Sequence, residues 1–179
     1  MKSSFLNALY TSLYGEWNRF SWELGLRMNH YQYIGPGKGY TYFDGGEQPF
    51  YTIKDTLRYG KFESIRKLVN VEPRVSLSVK MSERLKAFMS YDFIQQYQYY
   101  FSRSDFIGPW TETILADNYL KPVKVRQTAL GMAYNGLLEV KTEVYLKRYE
   151  NVLSYRDRVD YYSNRPYEQF TSQGNGLAK

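Results

Sequence analysis

The chain has no cysteine. That excludes disulfides and thiolate metal sites and says little about compartment. It has one histidine, His30, so a Ser-His-Asp triad or a multi-histidine metal site would have to rest on that residue. Paired-carboxylate patterns, phosphate loops and the Rossmann glycine motif are missing too. The expectation is a protein that is not an enzyme and uses neither cofactor nor metal. No apolar run approaches the roughly 18 residues that a spanning helix needs. Basic residues are in excess, with net charge +6, yet they are scattered and form no dense run. This argues against a nucleic-acid partner. Met1-Lys-Ser-Ser runs into strand-like sequence without an apolar core or cleavage site, so no secretory signal is read there. Taken alone, that start predicts a cytoplasmic chain, in conflict with the membrane character of the strand pattern.

What is present is aromatic. Twenty tyrosines, ten phenylalanines and three tryptophans make up 18% of the 179 residues. Such enrichment suits sheets, and it suits the interfacial girdles of membrane barrels. The stretch Phe20-Ser-Trp-Glu-Leu-Gly-Leu-Arg-Met-Asn-His30 alternates strictly. Phe20, Trp22, Leu24, Leu26 and Met28 fall on one face, and Ser21, Glu23, Gly25, Arg27 and Asn29 on the other. Period two predicts a strand with two unlike faces.

The same alternation predicts strands over Leu6–Trp17, Phe20–Tyr33, Pro73–Met81, Leu85–Gln95, Lys124–Tyr134 and Leu138–Tyr149. Phe88 breaks the pattern of its strand. Asn18-Arg19 and Ser82–Arg84 read as tight turns, and Asn135-Gly136 as a type I′ hairpin turn. Long polar loops are expected after residue 33 (Ile34 to about Val71), after 95 (Gln96 to about Val123) and after 149 (to about Ser172). A short helix or hairpin around Thr52–Lys67 is open within the first. Gly174 begins a further strand.

Connections therefore alternate short and long, so the two ends of the sheet are unequal. Outer-membrane barrels combine short periplasmic turns with long outer loops. Repeated structureless loops of this length are uncommon in a compact soluble domain. The strand lengths suit a tilted spanning strand. The predicted fold is all-β: an antiparallel up-and-down meander of about six to seven strands, forming a partial transmembrane β-barrel wall with long extracellular loops. A soluble β-sandwich that binds glycans or partners stays open on the same pattern, as does a porin- or adhesin-type barrel.

Several segments, in order, resemble the barrel of TonB-dependent outer-membrane receptors. Trp22-Glu-Leu-Gly-Leu-Arg27 is similar to a recurrent strand of that family, and Glu72-Pro-Arg-Val-Ser-Leu-Ser78 to the start of another. Leu85-Lys-Ala-Phe-Met-Ser-Tyr91, running towards Gln95-Gln96, resembles a third. Leu120-Lys-Pro122, Ala129-Leu-Gly131, Glu143-Val-Tyr-Leu-Lys147 and the opening of a glycine-rich strand at Gly174-Asn-Gly-Leu-Ala-Lys179 continue the series.

The resemblance spans nearly the whole chain, without plug, TonB box or signal peptide. It implies that residues 1–179 are a piece of a receptor barrel rather than a complete domain. It also implies a place in the outer membrane and energy-coupled uptake of a nutrient such as siderophore-iron or glycans. The implied partners are outer-membrane lipids, the plug and remaining barrel strands, TonB through the missing N-terminal part, and a small-molecule or glycan ligand. The aromatics of the outer loops, Tyr40, Tyr42, Phe43, Tyr97, Tyr99, Tyr100 and Trp110, are the candidate ligand contacts. Arg27, Glu143 and Lys147 are expected to form charge networks on the lumenal face.

Overall fold

The computed structural model describes residues 3–43, 53–102, 111–156, 167–169 and 171–179, except for the side chains of 101, 102, 111, 112 and 169. The main sheet has seven antiparallel strands: β1 (Ser3–Trp17), β2 (Phe20–Ile34), β5 (Ser64–Lys80), β6 (Leu85–Gln96), β9 (Val123–Asn135), β10 (Glu139–Tyr155) and β11 (Thr171–Ala178). They lie side by side in chain order, as an up-and-down meander. Two hairpins stand on the long connections: β3 (Gly37–Tyr42) with β4 (Ile53–Tyr59), and β7 (Gln98–Ser102) with β8 (Thr111–Leu115). A 3-10 turn at Tyr167–Gln169 leads into β11. The sheet is open: β1 and β11 each have one neighbour.

The pairing stacks like on like. Trp22, Leu77, Met89, Leu130 and Val144 form one cross-strand row. Directly opposed residues share a face, so this row is apolar throughout. One residue along, Glu23, Ser76, Ser90, Ala129 and Tyr145 form a row on the opposite face. The β1–β2 turn is as short as expected, and Asn18 takes a left-handed backbone (φ 56°) that asparagine tolerates. In the β5–β6 turn, Ser82 Oγ accepts the backbone N–H groups of Arg84 and Leu85.

The β9–β10 hairpin is found, but not with a two-residue type I′ turn. Asn135 pairs with Glu139, leaving Gly136-Leu137-Leu138 as the loop. The physical reason is register. A two-residue turn at Asn135-Gly136 would set Tyr134 against Leu137 and Met132 against Glu139. It would carry Glu139, Lys141 and Glu143 onto the apolar face. The observed register sets Tyr134 against Val140 and Met132 against Thr142.

The long connections are more structured than expected. β5 begins at Ser64 rather than Pro73, and β10 runs to Tyr155 rather than Tyr149. Pro73 lies inside a strand. It pairs with Leu26 on one side, while the β5–β6 ladder starts only at Arg74. A proline has no N–H to give, and here the ladder stops beside it. The buried Glu72 carboxylate takes over, accepting the backbone N–H of Gln95 at 2.9 Å.

Phe88, the break in its strand's alternation, packs on the polar face. It pairs with Gly131, where an added Cβ would fall onto its ring. Lys141 Nζ sits 4.8 Å above that ring.

A candidate ligand site among the long-loop tyrosines

The chain's buried core is not under the centre of the sheet. It gathers at the long-loop end, where Tyr31 and Tyr33 of β2 meet Tyr97, Tyr99, Ile114, Leu115, Ala116 and Leu120. Tyr31 and Tyr97 stack with ring centroids 4.8 Å apart. Burying tyrosines requires partners for their hydroxyls. Tyr31 donates to the carbonyl of Ala116 at 2.9 Å, and Tyr97 accepts from Asn70 Nδ2 at 3.0 Å. Tyr99 donates to the carbonyl of Lys121 and accepts from Gln173 Nε2. Burial raises the Tyr97 hydroxyl above its ordinary range, against the hydrogen bond from Asn70, and pushes Tyr99 up to about 12.

The third connection is tied into the same end. Gln173 also donates to the carbonyls of Lys121 and Asn151, and its Oε1 accepts the N–H of Lys121. Asn151, at the β10 bulge with φ 60°, donates to the carbonyl of Pro122. Tyr119 donates to the carbonyl of Thr171. Asp117 closes its own turn by accepting the N–H groups of Tyr119 and Leu120 at 2.8 Å, and it accepts Tyr167 Oη as well. Burial first, and then the Asp117 charge, raise Tyr167 far above the usual tyrosine range.

Between this clamp and the β3–β4 hairpin lies a cavity of about 310 Å³. Its walls carry Tyr33, Tyr40, Tyr42, Tyr59, Tyr119 and Tyr167, with the Gly37-Lys38-Gly39 backbone and Asp117, Asn118 and Glu168. That volume lies at the small end of ligand pockets.

Of the aromatics expected to contact ligand, Tyr40 and Tyr42 line this cavity. Phe43 is exposed beside it in sequence, with Lys54 Nζ 5.9 Å from its ring centroid. Tyr97 and Tyr99 are in the loop core, 4% and 5% exposed. Tyr100, next in line, is 76% exposed and does not line the cavity. Trp110 lies outside the described residues. Sequence reasoning misses Tyr33, Tyr59, Tyr119 and Tyr167. In the sequence Tyr33 is only the end of a strand. The spacing of Tyr40, Tyr42 and Tyr59 across a hairpin is the signal available for Tyr59.

On the polar face of the sheet the charges pair locally. Arg27 Nε donates to Asn29 Oδ1 at 2.9 Å, and Lys141 meets Glu143 at 3.3 Å. Lys147 Nζ lies 4.9 Å from the Tyr145 ring centroid, and Arg74 meets Asp92 at 3.7 Å across β5 and β6. Among the described residues, no three His, Asp or Glu side chains gather as a metal site. No family of known proteins, no curated protein and no solved structure matches the chain.

Proposed function

We propose that this chain is part of the wall of an outer-membrane, TonB-dependent receptor that takes up a nutrient, with the outer-loop cavity as its ligand site. One observation carries the membrane half of the reading. The apolar face of the sheet is continuous, uncharged through its middle, and not covered by any of the described residues. Leu13, Trp17, Phe20, Leu24, Leu26, Met28, Leu130 and Val144 are all exposed on it. A patch of this extent is foreign to a soluble monomer and native to a lipid-facing wall.

The charges on that face begin at its long-loop end, with Lys67 beside Gln32 and Arg126 beside Phe93. Arg126 is paired there with Glu150. From Phe20 to Met28 the band runs nine residues. At roughly 3.4 Å per residue and a tilt near 40° it stands about 20 Å tall, near the height of a barrel's apolar belt. Trp17 and Phe20 at the short-turn end and Phe93, beside Arg126, towards the long-loop end suit the positions of interfacial aromatics. A β-sandwich would need a second sheet over this face, and the described residues supply none.

The energy-coupled half of the reading rests on the ordered motif resemblance, which also separates it from a passive porin or adhesin. The open edges at β1 and β11 would be closed by further strands of the same receptor. Lipid, plug, TonB and ligand are the partners this reading requires.

The test is phase separation followed by reconstitution of the full chain. The expected result is recovery in the detergent phase and carbonate-resistant association with vesicles. A monodisperse protein in detergent-free buffer would overturn the membrane reading.

A further inference from the structure

The outer cavity's chemistry separates two ligand classes, and the inference rests on the receptor reading above. We infer that it takes a neutral, polyhydroxylated ligand of carbohydrate type rather than an anionic iron chelate. The walls are dominated by tyrosine rings, which offer apolar faces edged by hydroxyls. A sugar ring presents the matching surface, with a C–H face to lie on an aromatic and hydroxyls around its rim.

Polar groups suited to that rim stand between the rings. Asn118 offers an amide, exposed and held, among the described residues, at 3.3 Å by Arg66 and at 3.5 Å by the Tyr59 hydroxyl, so it can exchange these partners for ligand hydroxyls. The Gly37-Lys38-Gly39 segment brings main chain to the cavity with no side chain at its two glycines. At Gly39 the nearest neighbour of an added Cβ is the Tyr59 ring, at 3.5 Å. The ring and the bare backbone thus flank one another.

The charge balance argues against an anion. Among the described lining residues Lys38 is the one cation and Asp117 and Glu168 are the acids. Arg66 and Arg156 stand behind this lining, donating to Asn118 Oδ1 at 3.3 Å and to the Tyr119 hydroxyl at 3.4 Å, and do not cluster with Lys38 on the wall. Chelates that carry several negative charges call for clustered arginine or lysine. The volume, about 310 Å³, suits one or two sugar rings.

The experiment is calorimetric titration of the full chain in a sugar-free detergent. The probes are maltose, cellobiose and lactose, with ferric citrate as the anionic chelate. Binding of at least one disaccharide is expected, weakened about tenfold by Tyr40→Ala or Tyr59→Ala and little changed by Tyr40→Phe, which keeps the ring. Ferric citrate is expected to give no heat. Circular dichroism in the near ultraviolet checks that the loop core survives each substitution. Binding of ferric citrate, or of no disaccharide, by a chain that inserts into vesicles overturns the carbohydrate assignment alone. A chain that binds disaccharide without entering detergent or vesicles supports the cavity's assignment and overturns the membrane reading.

Discussion

Two residues show how single side chains fix this sheet. Phe88 sits on the polar face because Gly131 leaves room for its ring on the neighbouring strand. The pair is invisible to periodicity, which reads one strand at a time and registers Phe88 only as a break. Gly131→Val would drive a side chain into that ring and against the Thr142 carbonyl oxygen, and overpacking of this kind costs about 1–3 kcal/mol. The expected outcome is a lower urea midpoint for the folded chain in detergent, partly restored by Phe88→Ala in the same molecule.

Tyr99 sets a pH limit on the loop core. Its hydroxyl is raised from 10.0 to about 12, so the folded state holds that proton more tightly than the unfolded chain does. The stability this contributes is fully present below about pH 10 and is lost as pH rises through about 12. Tyrosinate absorbance should therefore show a late-titrating group above pH 10, with the near-ultraviolet signal of the loop core lost in the same window. Tyr99→Phe, which cannot ionise, should lower the number of late-titrating tyrosines by one, with Tyr97 and Tyr167 among those remaining. Loss of the near-ultraviolet signal well below pH 10 would contradict this.

At the scale of elements, the six long strands are legible in the sequence because each buries or exposes one face along its whole length. Period two survives even where single residues depart from it. The hairpins β3–β4 and β7–β8 are not, because their strands are five to seven residues long and offer too few alternations to count. The onset of β5 is hidden by Pro73, which reads as a strand start but here marks only where pairing to β6 ends. The dipeptide Asn135-Gly136, weighed alone, misleads about its turn, because facing apolar residues on both strands select the longer loop.

The two faces should answer differently to charge. Leu24→Arg, mid-band on the apolar face, is expected to cost about 2–4 kcal/mol in a bilayer, and Ser76→Arg on the opposite face about 0–1. Equilibrium unfolding in vesicles reads the difference directly. Equal costs would contradict the assignment of faces.

For the whole molecule, the buried core and the largest apolar surface lie apart. The core is a knot of tyrosines at the long-loop end, and the wall below it keeps its apolar side bare. On the reading proposed above, lipid is the solvent for that bare face. The candidate cavity follows from the same arrangement. Loops tied down by Asp117, Gln173 and Asn151 leave a pocket against the β3–β4 hairpin. That pocket is only half legible in the sequence, since Tyr40 and Tyr42 can be placed in a loop but the partners that face them come from three separate connections.

Lipid contact along β2 tests the central claim most directly. The chain has no cysteine, so single cysteines can be set at each position from Ser21 to Met28 and labelled without background. In reconstituted vesicles, a fluorophore at residues 22, 24, 26 and 28 should be quenched by spin-labelled lipid, and one at 21, 23, 25 and 27 should not. Quenching that ignores this alternation, or is absent at all eight positions, would contradict a lipid-facing wall.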